Sequence, residues 1–382
     1  MEGPARITRV VLENYKSIAF CDVKLGPLTI LVGPNGVGKS NFLDALRFLS
    51  EAMYAPPGNS VRTRGGFSRL RWSNASSDAR LGFRVDLSMG VSKGYFSFRL
   101  QPDSTSGFTF ERERCTIEPG PPSTSTNYNS ARPSTHLQLV KDPDFAPLSA
   151  FMSNCRFYAF GSDSLRHPTS TNIEAVLTND GANLPNVMAY MFERHRSLYD
   201  RINQYLRVIN PSVEVVTVQD VSAYRALAFR MKDSAHDFNA VQMSEGTLRS
   251  LAVLVALFQR QAGAQVDLVG LEEPEAALHP AAAGVLFDAM REASSGVQVV
   301  ATTHSADLLD NKDIDSEAIL AVELEGGVTR IGRIDQTGRQ ALKKRMYTAG
   351  ELMRMNYLRP EPYQPPNDSA IESVLFGDPV PA

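Results

Sequence analysis

The sequence predicts an α/β fold in which a mostly parallel sheet carries helices on both faces and an antiparallel sheet is inserted before its second half. Three observations carry this prediction. Strand-like and helix-like segments alternate over the last third of the chain. A short apolar run precedes a glycine-rich turn and an amphipathic helix near the N-terminus, and segments between these regions alternate apolar and polar residues. With 382 residues and 43% apolar content, the chain has room for two domains or one large domain with an insertion.

The individual elements follow from local patterns. Short apolar runs predict strands, apolar residues at helical spacing predict helices, and strict alternation predicts antiparallel strands. The predicted strands are 7–12, 23–25, 28–32, 81–87, 95–100, 108–117, 155–160, 213–218, 226–231 and those that start at 266, 297 and 318. The predicted helices are 39–52, 184–208 and those that start at 244, 281 and 306. Segment 61–72 is predicted to be an arginine- and glycine-rich loop, 119–133 a loop with little to bury, and 359–382 a poorly ordered, proline-rich tail.

Charge and composition exclude several classes of protein. The chain has 39 Lys and Arg against 42 Asp and Glu, a formal net charge of −3, which excludes a globally basic nucleic-acid coat protein but allows a local basic patch. Cys21, Cys115 and Cys155 form no C-x-x-C pair, so neither a disulfide framework nor a cysteine zinc site is expected. Since no apolar run is long enough to cross a bilayer and no secretory signal is visible, we predict a cytoplasmic protein without a membrane partner.

The first chemical motif is the segment Gly33-Pro-Asn-Gly-Val-Gly-Lys39-Ser40, which lies between a predicted strand and a predicted helix. It predicts a phosphate cradle, because glycines let backbone N–H groups turn toward phosphate oxygens and the helix N-terminus adds a positive dipole. Lys39 is predicted to reach the β- and γ-phosphates of ATP, and Ser40 is predicted to ligate Mg²⁺. The alternative is a plain glycine-rich turn before a helix.

Two carboxylates follow directly at the end of the apolar strand that starts at position 266. Glu272 is predicted to hold Mg²⁺, directly or through water, and Glu273 to polarise the water that attacks the phosphoanhydride. His304 ends another predicted strand and is predicted to hydrogen-bond the γ-phosphate or that water. Alone, the acids would suit a solvated turn and the histidine a core or capping position, but their occurrence beside a phosphate motif favours catalysis.

The segment Met243-Ser-Glu-Gly-Thr-Leu-Arg249 opens a strongly apolar helix about twenty residues before the acidic pair. Ser244 is a good helix N-cap, and Gly246 would let backbone N–H groups approach an anion. An ordinary N-capped core helix is the alternative interpretation.

In this order, the motifs resemble those of the ATP-binding-cassette ATPases, and within them the RecF/SMC/OLD-like branch. The resemblance extends from about residue 5 to 358 and rests on Glu-Asn-Tyr-Lys-Ser at 13–17, a Walker A segment at 33–41, a signature at 243–247, Walker B and D-loop residues at 272–280, and Thr-His-Ser at 303–305. The sequence departs from the cassette pattern in three ways. Glu272 replaces the usual Asp, the signature reads Met-Ser-Glu-Gly-Thr, and no Q-loop glutamine can be placed. The chain is also too short for the long SMC coiled coil.

The resemblance implies an ATPase head that binds ATP and Mg²⁺, with an antiparallel β subdomain and a helical lid. Its segments would be 1–60 with the P-loop, 61–180 with the antiparallel subdomain and the loop 119–133, 181–212 as the lid, 213–358 with the signature, Walker B and histidine, and the tail 359–382. Two chains would sandwich two ATP molecules as a homodimer. The implied nucleotide-binding residues are Asn35, Gly36, Gly38, Lys39, Ser40, Asn41, Ser244 and Gly246; Ser40 and Glu272 would hold the metal, and Glu273 and His304 would act in catalysis.

The leading hypothesis is a dimeric ATPase switch in DNA repair or phage defence. DNA contact rests on the resemblance and on the loop 61–72, whose arginines interleave with Phe67 and Trp72 as in a surface that follows a phosphate backbone. The alternatives are an ATP-gated regulator of a separate effector, such as a nuclease, and a transporter ATPase subunit, which the divergent signature disfavours. Asp313-Ile-Asp315 fits a D-x-D metal motif but lies in a polar stretch, so we interpret it as a solvated loop. The loop arginines are Arg62, Arg64, Arg69 and Arg71.

Overall fold

The computed structural model describes residues 4–104, 107–118, 125–126, 143–161, 163–311, 314–363 and 366–377. The chain forms two compact units. The first comprises Met1–Cys155, Asp315–Lys343 and Tyr357–Ala382, and the second comprises Arg156–Ile314 and Lys344–Asn356. The chain therefore leaves the first unit and returns to it twice. Of the predicted loop 119–133, all but residues 125 and 126 lies outside the described residues.

The strands and helices of each unit are as follows. The strands of the first unit are β1 (Arg6–Tyr15), β2 (Ile18–Lys24), β3 (Leu28–Val32), β4 (Leu81–Met89), β5 (Ser92–Asp103), β6 (Gly107–Glu118), β7 (Ser125–Thr126), β15 (Ile319–Glu325) and β16 (Val328–Arg333). Its helices are α1 (Lys39–Tyr54), α2 (Pro57–Thr63), α3 (Phe67–Leu70), α4 (Ala146–Ser153), α9 (Gln336–Lys343) and α11 (Asp368–Phe376). The strands of the second unit are β8 (Cys155–Tyr158), β9 (Thr169–Ser170), β10 (Val213–Val221), β11 (Tyr224–Met231), β12 (Asp237–Asn239), β13 (Leu268–Glu272) and β14 (Gln298–Thr303). Its helices are α5 (Leu184–Arg194), α6 (Arg196–Ile209), α7 (Glu245–Phe258), α8 (Pro280–Ala293) and α10 (Ala349–Arg354).

An antiparallel sheet in the first unit has the strand order β2-β1-β4-β5-β6-β7. One of its faces is aromatic. Phe83 lies opposite Phe98 with ring centroids 4.9 Å apart, and Phe48 of α1 packs on Phe83 at 5.2 Å. The predicted antiparallel strands are confirmed, but the sheet also takes in β1 and β2, which the sequence assigned to the P-loop segment. The alternating residues of β1 pair with β4 along most of its length, and this pairing draws both strands into the sheet.

The end of the chain covers the opposite face of this sheet. The prediction of a poorly ordered tail is wrong for residues 368–376, because they form α11 and bury Leu375 and Phe376 against Val11 and Phe20. The prediction rested on the high proline content of the tail. Four of the six prolines of the tail precede α11 in the sequence and two follow it, whereas the helix itself starts with an Asn367 N-cap and carries its apolar residues near its end.

Arginines of the sheet bind the C-terminal end of α11. The side chain of Arg84 is 1% exposed, and its Nη1 donates to the carbonyls of Val374 and Gly377 at 2.9 and 2.8 Å. Arg99 forms an ion pair with Glu372 of the same helix. The last carbonyls of a helix lack partners within the helix and carry the negative end of its dipole, so buried guanidinium groups are suitable partners for them.

The parallel part of the first unit is formed by β3 and β15, and β16 extends it in the antiparallel direction. Every residue of β3 is buried, as expected for a strand covered on both faces. The glycine-rich turn follows β3 directly and leads into α1, so a fully buried strand fixes the start of the turn.

The second unit contains a parallel pair, β13 and β14, and a further antiparallel sheet in which β10, β11 and β12 are neighbours and β9 pairs with β11. Twelve of the fourteen residues of α7 are buried, so this helix is enclosed on all sides rather than on the one face that the sequence predicted. The single helix predicted at 184–208 is two helices, α5 and α6, separated at His195, where φ is −137° and ψ is 53°. No helix in the described ranges has both the length and the apolar character that a membrane crossing requires.

We expect Arg84→Met to release α11 locally, because it removes the donor that two carbonyls of the helix end share. Each lost charged hydrogen bond should cost roughly 1.5–3 kcal/mol. Amide hydrogen exchange should show lost protection over residues 368–377, while exchange in the strands of the sheet changes less. Arg47→Met is the control, since Arg47 is exposed and forms an i, i+4 ion pair with Glu51 of its own helix. Equal protection of α11 in both variants would contradict the role of Arg84.

Candidate functional site

The glycine-rich segment forms a turn whose exposed residues are Pro34, Asn35, Gly36 and Ser40. Helix α1 starts directly at Lys39. Gly38 is its N-cap, with φ of 102°, and no side chain caps the helix. No acidic residue stands in the first turn, so the N–H groups at this helix end are not opposed by a local negative charge. This is the arrangement in which a helix N-terminus binds a phosphate.

A chain of side-chain hydrogen bonds holds the back of this turn. The hydroxyl of Thr329 donates to the carbonyl of Val37 at 2.7 Å. Ser17 then donates to Thr329 Oγ1 at 2.6 Å, because the one proton of Thr329 is already used. Asn41 in turn donates from Nδ2 to Ser17 Oγ at 2.7 Å. A Cβ on Gly38 would lie 2.2 Å from Thr329 Oγ1, so both its positive φ and this close approach require glycine.

The predicted phosphate-binding lysine is nearly buried and lies over its own loop. The side chain of Lys39 donates from Nζ to the carbonyls of Gly33 and Pro34, both at 2.8 Å, and the residue is 5% exposed. These two carbonyls keep the ammonium at the turn, where it adds to the positive potential of the helix end.

The segment predicted as an arginine loop is instead largely α2 and α3, and part of its charge is used within the fold. The side chain of Arg64 is 9% exposed and binds Asp44 of α1 at 2.9 Å and Glu51 at 2.6 Å. Arg71 donates to the carbonyls of residues 76 and 77 and lies over the ring of Phe67. Arg64 is therefore largely used within the fold, whereas Arg71 is partly exposed and Arg62 and Arg69 are exposed. Contact with DNA stays a prediction.

Asp44 is the centre of a charge cluster behind the P-loop. Tyr15 donates its hydroxyl to Asp44 at 2.7 Å, and Lys16 contacts the same oxygen at 2.5 Å. Burial alone would raise the pKa of Asp44, but the hydrogen bonds and charge of Arg64, together with Lys16 and Tyr15, hold that pKa below its ordinary value. The motif at 13–17 thus binds α1 through Tyr15, Lys16 and Ser17.

In the second unit, the predicted acids stand where β13 ends. Glu272 is its last residue, and Glu273 follows with φ of 44°, a left-handed conformation that few residues other than glycine adopt. The Glu273 N–H stabilises this turn by donating to the carbonyl of Thr302 at 3.1 Å and to its hydroxyl at 3.3 Å. Strained backbone of this kind clusters at functional sites.

Glu273 and His304 lie within hydrogen-bonding distance. His304 follows β14, which runs parallel to β13, so the two residues leave the same edge of the sheet. Nδ1 of His304 is 2.9 Å from Oε1 of Glu273, and both side chains are partly exposed. A carboxylate acceptor fixes the N–H at Nδ1 and leaves the Nε2 lone pair available.

Sequence reasoning missed a third carboxylate in the same turn. Glu275 is 7% exposed and is hydrogen-bonded to the hydroxyl of Thr303. Burial raises the pKa of Glu275, although the bond to Thr303 opposes that effect. The sequence does place polar residues at Glu-Pro-Glu (273–275) and Thr-Thr-His (302–304). It does not show which of these side chains are buried, so Glu275 could not be distinguished from its neighbours.

The predicted signature forms the start of α7. Ser244 is the N-cap, exposed, with Oγ accepting from the N–H of Thr247 at 3.3 Å. Gly246 is buried, and a Cβ there would lie 2.3 Å from the carbonyl of Ala277. In this structure, glycine at 246 serves close packing against the turn after β13, a different reason from the anion approach that the sequence suggested.

The structure distributes the predicted residues over both units. The first unit holds Asn35, Gly36, Gly38, Lys39, Ser40 and Asn41, and the second holds Ser244, Gly246, Glu272, Glu273 and His304. Within the described part of the chain, no group of three or more His, Cys, Asp or Glu side chains is arranged to hold a metal ion. Of the D-x-D segment, Asp313 lies outside the described residues, and Asp315 accepts from the N–H of Glu317 at 3.0 Å.

Comparisons with known proteins agree with this arrangement of motifs. A protein-family model described as "AAA domain, putative AbiEii toxin, Type IV TA system" matches residues 28–120 and 175–310. An OLD nuclease of Thermus scotoductus is 23% identical over 354 residues, which cover 78% of this chain and 59% of the nuclease. A DNA replication and repair protein RecF of Porphyromonas gingivalis is 51% identical over 45 residues, 12% of each chain.

Solved structures show the same fold. An SMC head bound to the C-terminal winged-helix domain of ScpA superposes with a TM-score of 0.59 at 15% identity, covering 88% of this chain and 99% of the other. A Pyrococcus furiosus SMC head with an extended coiled coil gives a TM-score of 0.57 at 11% identity, covering 90% and 99%. The RecF/SMC/OLD-like resemblance predicted from the motifs is thereby confirmed, while the chain spans only 59% of the length of the OLD nuclease.

The contribution of the Asp44 cluster to the free energy of unfolding should depend on pH. Because the pKa of Asp44 is lowered in the folded state, its stabilising effect is complete above its unfolded pKa of about 3.9 and is lost as pH falls through the lower folded value. We expect Asp44→Asn to reduce the free energy of unfolding at pH 7 by about 1–3 kcal/mol, and the reduction to shrink below about pH 4. Urea unfolding at several pH values measures both effects.

Asp200→Asn is the matched control for that experiment. Asp200 forms an exposed i, i+4 pair with Arg196, which should contribute less than about 0.5 kcal/mol. If the two variants lose equal stability at pH 7, the Asp44 cluster is not the anchor that its contacts indicate.

Proposed function

The chain belongs to the family described as AAA domain, putative AbiEii toxin, type IV toxin–antitoxin system, and we propose that within it this protein is an Mg²⁺-dependent ATPase that alternates between separated chains and an ATP-bound homodimer. The observation that carries the catalytic part is the 2.9 Å contact between Glu273 and His304 at the carboxyl edge of a parallel strand pair. A carboxylate oriented by a histidine is suited to polarising a water molecule.

The P-loop supports the binding part of the proposal. Its turn is held from behind by Thr329, its helix starts without an opposing acid, and Lys39 is kept at its edge by two carbonyls. Backbone N–H groups and the ammonium would hold the β- and γ-phosphates of ATP, with Asn35, Gly36 and Gly38 forming the turn. Asn41 then has a supporting role, since its side-chain amide is bound to Ser17.

Ser40 and Glu272 would supply too few ligands for a metal ion bound by protein alone, but enough for Mg²⁺ bound together with phosphate. Mg²⁺ is ordinarily bound by one or two protein oxygens together with phosphate oxygens and water. Ser40 offers an exposed hydroxyl at the first turn of α1, and Glu272 offers a partly exposed carboxylate at the end of β13. When bound, the ion would neutralise charge that develops on the phosphates.

The dimer is supported by the start of α7. Ser244 is exposed at the N-terminus of a fourteen-residue helix, where its Oγ accepts from the N–H of Thr247 at 3.3 Å. The first turn carries Glu245, whose carboxylate is paired with Arg249 at 3.2 Å, so the helix dipole remains the main local charge. We propose that this helix end binds an anion supplied from outside, the γ-phosphate held by the P-loop of a second chain.

We place this switch in DNA repair or phage defence, in the cytoplasm. The names of the relatives support this placement: RecF is a DNA replication and repair protein, OLD is a nuclease, and the family description includes a toxin. For direct DNA contact, Arg62 and Arg69 are exposed and Arg71 is partly exposed. An ATP-gated regulator of a separate effector protein is the alternative that the internal use of Arg64 and Arg71 favours.

We expect Glu273→Gln to bind ATP normally but to lower the rate of phosphate release by roughly 10²–10⁴-fold, the contribution of a positioned acid or base. Calorimetry measures the binding and a phosphate assay the turnover.

Lys39→Ala is the complementary variant, for which we expect the free energy of ATP binding to be weakened by about 1.5–3 kcal/mol. Wild-type turnover in Glu273→Gln would transfer the role to Glu272 or His304, and unchanged ATP binding in Lys39→Ala would contradict the P-loop assignment.

The dimer can be tested through Ser244→Arg, which places a bulky side chain at the exposed helix end. The fold and ATP binding should persist, because Ser244 lies outside the core and the P-loop is intact, whereas ATP-dependent dimerisation and turnover should both be lost. Light scattering with and without ATP measures the first, and phosphate release the second.

Mixing two inactive variants tests whether each nucleotide site is formed by two chains. A mixture of Ser244→Arg and Lys39→Ala chains can form one composite site that has an intact P-loop from one chain and an intact Ser244 from the other. We expect the mixture to regain part of the turnover that neither variant shows alone. If Ser244→Arg hydrolyses ATP normally as a monomer, the segment 243–247 does not bind the nucleotide of a second chain and is only the capped start of a core helix.

A further inference from the structure

Glu275 is a buried carboxylate beside the proposed catalytic pair, and the proposed hydrolysis does not use it. It lies two residues after Glu273, in a turn where the N–H of Ala276 donates to the carbonyl of Glu273 and that of Leu278 to the carbonyl of Glu275. Its Oε1 contacts the hydroxyl of Thr303, and its Oε2 is buried with no hydrogen-bond partner among the described residues.

The direction of the bond between Glu275 and Thr303 follows from the other partner of the hydroxyl. Thr303 Oγ1 accepts from the N–H of Ser305 at 2.9 Å, so the hydroxyl proton is directed to Glu275. The carboxylate is thereby connected, through one side chain, to the backbone on both sides of His304. It holds the turn that presents the imidazole.

Two connections join the ends of the parallel strands. In the first, the N–H of Glu273 binds the carbonyl and hydroxyl of Thr302. In the second, Glu275 binds Thr303. The 2.9 Å contact between His304 and Glu273 joins two residues that lie next to these connections.

A carboxylate in this place is costly for stability. Burying an ionisable group with an oxygen left unpaired loses hydration without full replacement, and an apolar residue of similar size would avoid that loss. The raised pKa of Glu275 reflects the same burial. Buried polar groups that cost stability are typical of functional positions.

We propose that Glu275 is a positioning residue, which acts through Thr303 to hold His304 against Glu273. It is not assigned contact with ATP or water. The inference rests on the proposed function, because it gives the Glu273–His304 pair its catalytic role. It goes beyond that function by assigning two residues, Glu275 and Thr303, to the geometry of the pair.

Steady-state ATP hydrolysis by full-length variants tests the proposal. Glu275→Leu and Thr303→Val should each lower kcat by roughly 10- to 100-fold, as expected for residues that orient a catalytic side chain, and should leave KM for ATP within about twofold. The double variant should lose no more than the single ones, because both act through one connection. Thr303→Ser and Glu275→Gln keep the hydrogen bond and should retain most of the activity, even if the leucine variant folds poorly.

Glu292→Leu is the matched control. Glu292 belongs to the same unit and is a glutamate that is less buried than Glu275, and it pairs with Arg201 and Tyr205 instead of residues of the acidic turn. We expect it to leave kcat unchanged. If Glu275→Leu and Thr303→Val folded and hydrolysed ATP at the wild-type rate, or if their losses were additive, the proposal would be overturned.

A second measurement separates this inference from the proposed function. The chain has six histidines, so the ring ¹⁵N signals of His304 can be assigned by comparison with His304→Ala. In wild type, its Nδ1 signal should show the hydrogen bond to Glu273, and in Glu275→Leu that signature should be lost while Glu275→Gln restores it. A wild type without ATP turnover would contradict the proposed function alone, whereas an unchanged His304 signal in Glu275→Leu would contradict the positioning role.

Discussion

The hydroxyl of Thr329 has a single proton, and the first unit uses it to hold the P-loop. That proton goes to the carbonyl of Val37, which obliges Ser17 to donate to Thr329 and Asn41 to donate to Ser17. One polar chain thus joins the turn between β1 and β2, strand β16 and helix α1. Because the loop is shaped by the protein itself, the arrangement of its N–H groups does not have to be created by a ligand.

The turn after β13 shows how neighbouring residues of one type acquire different properties. Glu272 ends a strand and is partly exposed, Glu273 takes a left-handed conformation beside His304, and Glu275 is buried against Thr303. The differences come from the backbone path, which turns three closely spaced carboxylates toward three environments. Because these environments differ in exposure and hydrogen bonding, one short segment can supply several chemical functions.

The sequence was sufficient for those features that are local. The P-loop, the acidic pair and the histidine are short patterns at strand ends, and the alternating strands of the antiparallel sheet are readable for the same reason. It was insufficient wherever a partner is distant. Thr329 lies 292 residues from Val37, and nothing near Arg64 in the sequence marks Asp44 as its partner, so an internal ion pair looked like a DNA contact. Burial of Glu275 likewise depends on a strand that follows it.

The position of α11 bears on the synthesis of the protein. Arg84 and its partner Val374 are 290 residues apart, so at about 5–20 residues per second a ribosome needs roughly 15–60 s to make the helix after the arginine has emerged. During that interval α11 is not yet present to cover its face of the antiparallel sheet. Because that face is rich in arginine and has few apolar residues besides Val11 and Phe20, it can meet water without strong self-association. A polar face is therefore suited to being covered by a helix that is synthesised long after the strands beneath it.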